Sequence, residues 1–256
     1  MTRLFLYTVA VFLSAVLAFL ALRTPEPFVF RALTVPEHVV ALMDDSGLSL
    51  SVWVNRSDHA MVDPDVITRS RIESNDRTAG LELALKRIEA GHAETYQGEV
   101  FTKHLLVFEP ARLTADFVIT DAWLHLELSD GSVHRLLIGT LELIRLEPSW
   151  QELPFHDLYG EKEAGSGLSR ISHIRVKTDG TIMIREARIG TELRLTWDVN
   201  DHDVTLVVPH DTLVLTRFPV LIMTDMAVFY IPSFVYVKDM RVLEAHGKDI
   251  HVHTFD

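Results

Sequence analysis

The first pattern along the chain is an unbroken run of apolar and small residues from Leu4 to Leu22, bracketed by Arg3 and Arg23. About 19 helical residues just cross roughly 30 Å of hydrocarbon. Tyr7 and Phe19 fall near the two ends, where aromatic rings favour the interface, and Pro25 and Pro27 stop the helix. The pattern predicts a signal-anchor transmembrane segment over residues 1–27. A cleaved signal peptide is the competing expectation, with Val16-Leu17-Ala18 as its best small-x-small site. A short leading tail and a large body behind the segment favour a single-pass protein of the cell membrane whose body is extracytoplasmic.

Beyond the prolines the pattern alternates. Val39 to Met43 and Leu48 to Val54 flank Asp44-Asp45-Ser46-Gly47, which reads as a β-hairpin. Leu81, Leu85 and Ile88 recur at helical spacing, with Glu82 and Lys86 four apart and Gly91 as a C-cap, so a helix is expected there. A shorter helix is expected to start at Asp63-Pro64. From Tyr96 onward the chain reads as strands. Turns are expected at Asp130-Gly131, Asp179-Gly180, Asn200 to Asp203 and Gly247-Lys248. Phe218 to Val237 is apolar enough to suggest a second span. Asp225, Pro219 and Pro232 argue instead for strands buried on both faces, or for an apolar partner-binding face carrying Phe229, Tyr230, Phe234 and Tyr236.

The fold expected is therefore mainly β with a minor helical part, a β-sandwich-like body behind the N-terminal anchor. Its divisions are an α+β part over 28–159, a polar linker over 160–167 and an all-β part over 168–256. Leu113-Thr114 before Ile119 to Ala122 faintly echoes Leu215-Thr216 before Met223 to Met226, as a duplication would.

Charge and composition then narrow the function. The formal charge of −12 argues against binding nucleic acid, whose phosphates demand a basic surface. The absence of cysteine excludes disulfides, thiol nucleophiles and cysteine-based metal sites. No phosphate-cradling loop, nucleophile elbow or zinc-protease helix is present in the sequence.

Thirteen histidines are the remaining chemical signal. A two-residue turn at Gly247-Lys248 would place Glu244, His246, His251 and His253 on one sheet face. The Asp130-Gly131 turn would likewise set Glu127 opposite His134, with His125 beside them. Either set suits a divalent transition metal, and the first also a pH-sensitive patch, against the plainer expectation of a solvated face without cofactor. Four tryptophans could include a carbohydrate platform. The balance favours a non-enzymatic binding or assembly subunit of an envelope or membrane complex, held in the membrane by residues 4–22. A metal-dependent envelope enzyme and a wall-ligand-binding module are the alternatives.

Overall fold

The computed structural model describes residues 29–43, 47–109, 113–162, 171–191, 193–209, 217–235 and 250–255. The expected membrane segment, the Gly247-Lys248 turn, Glu244, His246 and Tyr236 lie outside them. Among the described residues eighteen strands follow one another: β1 (Phe30–Thr34), β2 (Glu37–Leu42), β3 (Ser49–Val54), β4 (Ile67–Ser74), β5 (Gly80–Leu83), β6 (Leu85–Tyr96), β7 (Glu99–Phe108), β8 (Phe117–Leu128) and β9 (Val133–Arg145) make the first group. The second comprises β10 (Gln151–Glu152), β11 (Phe155–Lys162), β12 (Ile171–Thr178), β13 (Ile184–Ile189), β14 (Leu193–Asn200), β15 (Asp203–Val207), β16 (Arg217–Thr224), β17 (Val228–Val235) and β18 (His251–Phe255).

Two five-stranded sheets, β18-β1-β3-β7-β6 and β2-β9-β8-β4-β5, face each other as a sandwich. Leu50, Val52, Leu106, Leu124, Leu126 and Ile138 fill the space between them. The remaining strands form one eight-stranded sheet, β10-β17-β16-β13-β14-β15-β12-β11. Its β14 pairs with β13 over its first residues and with β15 over the rest. The sheet curls around Ile174, Val176, Ile189, Leu206, Val220 and Ile222.

Two of the changes of sheet between consecutive strands are tight corners of one or two residues: Val35-Pro36 lies between β1 and β2, and Ala84 between β5 and β6. A proline that cannot donate to a ladder suits such a corner. At the first corner the chain passes so close to Gly139 that a Cβ there would collide with the Pro36 carbonyl oxygen. Gly139 also holds φ near +70°, which a side chain disfavours.

Several sequence expectations change here. The predicted helix around Leu81 to Ile88 is strand, with Glu82 pairing across to Arg69 on β4 at 2.7 Å. Among the described residues the helical content is a single 3-10 turn, Ala60–Val62. Asp63 is its C-cap, not the start of a helix. The predicted first hairpin is not one: β2 runs parallel to β9, whereas β3 pairs with β1 and β7 in the other sheet. Asp179-Gly180 joins strands that pair elsewhere, β12 with β11 and β15, and β13 with β14 and β16. Gly160 to Lys162 of the predicted linker belong to β11. The faint echo falls within β8 in one case and at the β16–β17 turn in the other. By contrast, the Asp130-Gly131 and Asn200-to-Asp203 turns do join paired strands, and Phe218 to Val235 folds as the β16–β17 hairpin.

Candidate functional site

The histidines gather where β18 closes the edge of the first sandwich. Antiparallel pairing sets Thr34 opposite His251, Ala32 opposite His253 and Phe30 opposite Phe255, so period two turns His251, His253 and Phe255 inward together. The Thr34 hydroxyl donates to the Leu137 carbonyl at 2.5 Å and lies 3.1 Å from His253 Nε2. With its one proton committed, the hydroxyl accepts from His253, which fixes the Nε2–H tautomer. His251 donates through Nδ1 to the same Leu137 carbonyl at 2.9 Å.

Three further rings extend this seam. His38 on β2 is buried, and its Nε2 has no hydrogen-bond partner. His59 stacks on Phe30 with centroids 3.5 Å apart, while His134 meets His59 and Phe255 edge-on at 5.3 and 5.0 Å. Burial disfavours the imidazolium at four of these rings. It lowers His38 to about 4, where a hydrogen bond from the ring to the Val35 backbone opposes the shift and the neighbouring His251 adds to it. His253 is likewise lowered to about 4, by burial first and His251 second. His59 and His134 are lowered for the same leading reason, with Asp58 and Asp130 opposing.

A second cluster lies around His125, and its register differs from the sequence expectation. The β8–β9 loop has three residues rather than two: Leu128 donates to Ser132, and Gly131 takes φ near +84°. That one-residue shift sets Glu127 opposite Val133 and His134 opposite Leu126, so Glu127 and His134 lie on opposite faces. His125 instead faces Arg135 on β9 and Arg71 on β4, with its Nε2 3.5 Å from Glu73. Burial is the leading cause of its lowered pKa, and Arg135 adds to it. Sequence reasoning missed Glu73, Arg71 and Arg135. The legible signal was glycine at the third loop position, which marks a three-residue hairpin loop. His38 was missed too, although it alternates with Val40 and Leu42 along β2. Among the described residues, no three His, Asp or Glu side chains converge as a metal site.

Aromatic candidates are largely absorbed by the fold. Tyr230 and Phe234 are buried, Phe234 packs on Phe218 at 5.7 Å, and Phe229 lies half-buried against the same core. Trp53 is buried and donates to the Glu94 carboxylate at 2.9 Å, and Trp123 lies under Arg135. Trp197 is 37% exposed. Where β2, β3 and β7 approach β16 and β17, a cleft of about 270 Å³ is lined by His38, Ser51, Lys103, Leu105, Phe218 and Pro232.

A further open feature is β11. Among the described residues it pairs with β12 alone, and none of its eight residues is buried. Phe155 and Tyr159 remain 39% and 42% exposed. Beside it Arg175 is held by Glu161 at 3.0 Å and by the Thr205 hydroxyl.

No family model and no curated protein matches this chain. Solved structures that resemble it are modular β proteins. The D00-D0 domain of intimin is 11% identical with TM-score 0.20, over 81% of this chain and all of that one. Titin domains I67–I69 are 10% identical with TM-score 0.24, over 82% and 65%. Fibronectin(III)-like modules of Clostridium thermocellum CbhA are 10% identical with TM-score 0.21, over 82% and 95%. With superposition this partial, the architecture rests on the chain's own strands and cores, and these likenesses carry nothing about ligand or activity.

Proposed function

We propose that this chain is a binding or assembly subunit of a membrane complex, anchored by residues 4–22 with its β-rich body outside the cytoplasm, and that β11 is where a partner docks. The observation that carries the reading is the open edge of β11. Among the described residues β11 has a ladder partner on one side only, and such an edge is a template for a further strand, with neighbouring side chains setting selectivity. Phe155 and Tyr159 supply exposed apolar area on that edge, and Asp157, Glu161 and Lys162 punctuate it with charge. Rigid support comes from β12, whose Ile174 and Val176 are fully buried beneath. The partner expected is a membrane or envelope protein presenting an extended segment.

The test is site-specific photocrosslinking in native membranes. A photoreactive residue replacing Tyr159 should give a discrete heteromeric adduct. The same residue replacing Val118, an exposed position on the first sandwich, should not. Equal labelling from both positions, or none from Tyr159, rejects the docking edge.

A further inference from the structure

The β18 strand is unusual in what holds it. It has five residues and, among the described residues, forms the outer edge of its sheet and pairs with β1 alone. Its inward side chains are two histidines and one phenylalanine rather than aliphatic residues, and Val252 on its other face is 48% exposed. Each histidine donates one N–H, His253 to the Thr34 hydroxyl and His251 to the Leu137 carbonyl. We propose that β18 is an acid-released strand, and that the β1 edge it vacates takes β18 from a second copy of this chain.

The surroundings of the seam explain why protonation drives the strand off. From β1 comes only the Thr34 hydroxyl, because Arg31 lies on the opposite face, paired with Glu99 at 3.0 Å. From β2 comes His38, on which His251 acts by like-charge repulsion and whose Nε2 is shielded without a partner. From β9 come the Leu137 carbonyl and His134, and from the turn before Ala60 comes His59. Among the described residues the charged groups near these rings are Arg56 and Asp58 beside His59, and Asp130 beside His134, and no carboxylate of those residues acts on His38 or His253. A proton gained there meets other imidazoles and apolar walls, and withdrawal of β18 restores hydration to the rings.

The size of the effect follows from linkage. A histidine near 4 in the closed form and near 6.5 when hydrated favours the open form by roughly 80-fold at pH 4.5. The vacated β1 edge is then complementary to the sequence His-Val-His-Thr-Phe, because that is its own occupant. On return to neutrality it accepts this strand from either copy, a reciprocal exchange that closes as a two-fold dimer.

The chain has no cysteine, so a two-protein crosslink reads the exchange directly. Arg31 and Thr254 face each other across the β1–β18 ladder on the outer face. Full-length R31C and full-length T254C, carrying different tags in detergent, are mixed, held at pH 4.5, returned to pH 7.5 and oxidised. A 31–254 disulfide between the two tags should rise at least tenfold over a sample kept at pH 7.5. The near-ultraviolet signal of the tryptophans at pH 4.5 should persist, showing that only the strand has moved. No 31–254 product after the acid step, equal product without it, or collapse of the tryptophan signal at pH 4.5 each overturns the proposal.

Discussion

At the residue scale the fold depends on a few contacts with no alternative. Gly139 combines a positive φ with a backbone neighbour that cannot withdraw, since Pro36 is fixed by the strand corner and its carbonyl accepts from Thr140 at 2.9 Å. Gly139→Ala should destabilise the chain by about 2–4 kcal/mol, read as a lower urea midpoint at unchanged slope. Trp53 and Glu94 form another such contact. The buried carboxylate accepts from the indole and lies 3.0 Å from His92, so Trp53→Phe removes a donor without relieving the acceptor's burial. A loss of about 1–3 kcal/mol is expected, and Glu94→Gln in the same background should recover part of it. Neither contact was legible in the sequence. Glycine and tryptophan were visible, but what they touch depends on pairings more than forty positions apart.

At the scale of elements, pattern reading succeeded where a strand ran straight and failed where it turned a corner. The β14–β15 hairpin alternates cleanly on both sides of its turn and was read correctly. The stretch from Leu81 to Ile88 was read as helix for a physical reason. Leu81 sits on β5, the chain switches sheets at Ala84, and a bulge intervenes between Leu85 and Arg87 before Ile88 turns inward. A corner and a bulge together convert period two into spacings of four and three, which imitate a helix. The candidate site suffered likewise: a one-residue difference in loop length moved His134 from beside Glu127 into the histidine seam. Stability should carry that seam's signature. Both His38 and His253 are lowered from 6.5 to about 4, so the unfolded chain binds more protons between these values. Stability contributed by their neutral forms is complete above pH 6.5 and lost as pH falls towards 4, about 3 kcal/mol for fully buried His38. His38→Gln should flatten that slope in pH-dependent chemical denaturation. An unchanged slope would show that His38 does not titrate in this window.

For the whole molecule, the decisive feature is that the apolar core of the second group of strands does not stop at its own sheet. Ile144 and Leu146 at the end of the first group, and Val39 and Trp53 within it, join the same cluster as Phe218, Leu221 and Ile231. Glu142 on β9 also accepts from the Thr191 backbone N–H at 2.5 Å, across the two groups. The body should therefore unfold in one transition. Leu221→Ala, expected to cost about 2–5 kcal/mol, should weaken hydrogen-exchange protection in β8 as well as in β16. Loss confined to β16 would mean that the two groups unfold separately. The overall β-rich, sandwich-like class was legible because short strands and turns recur along the chain. The joining of the cores was not, since no local period records which sheet face meets another.

The pairing of Phe30 with Phe255 also sets a schedule for the newly made chain. The first strand is finished more than two hundred residues before the strand that covers its outer edge. At about 5–20 residues per second that edge waits roughly 10–45 s on the growing polypeptide. Throughout that interval it offers unpaired backbone to any passing strand, including that of a neighbouring nascent copy. Conditions that slow synthesis or crowd the chains should therefore raise the yield of entangled dimers, without any change in the finished protein's stability.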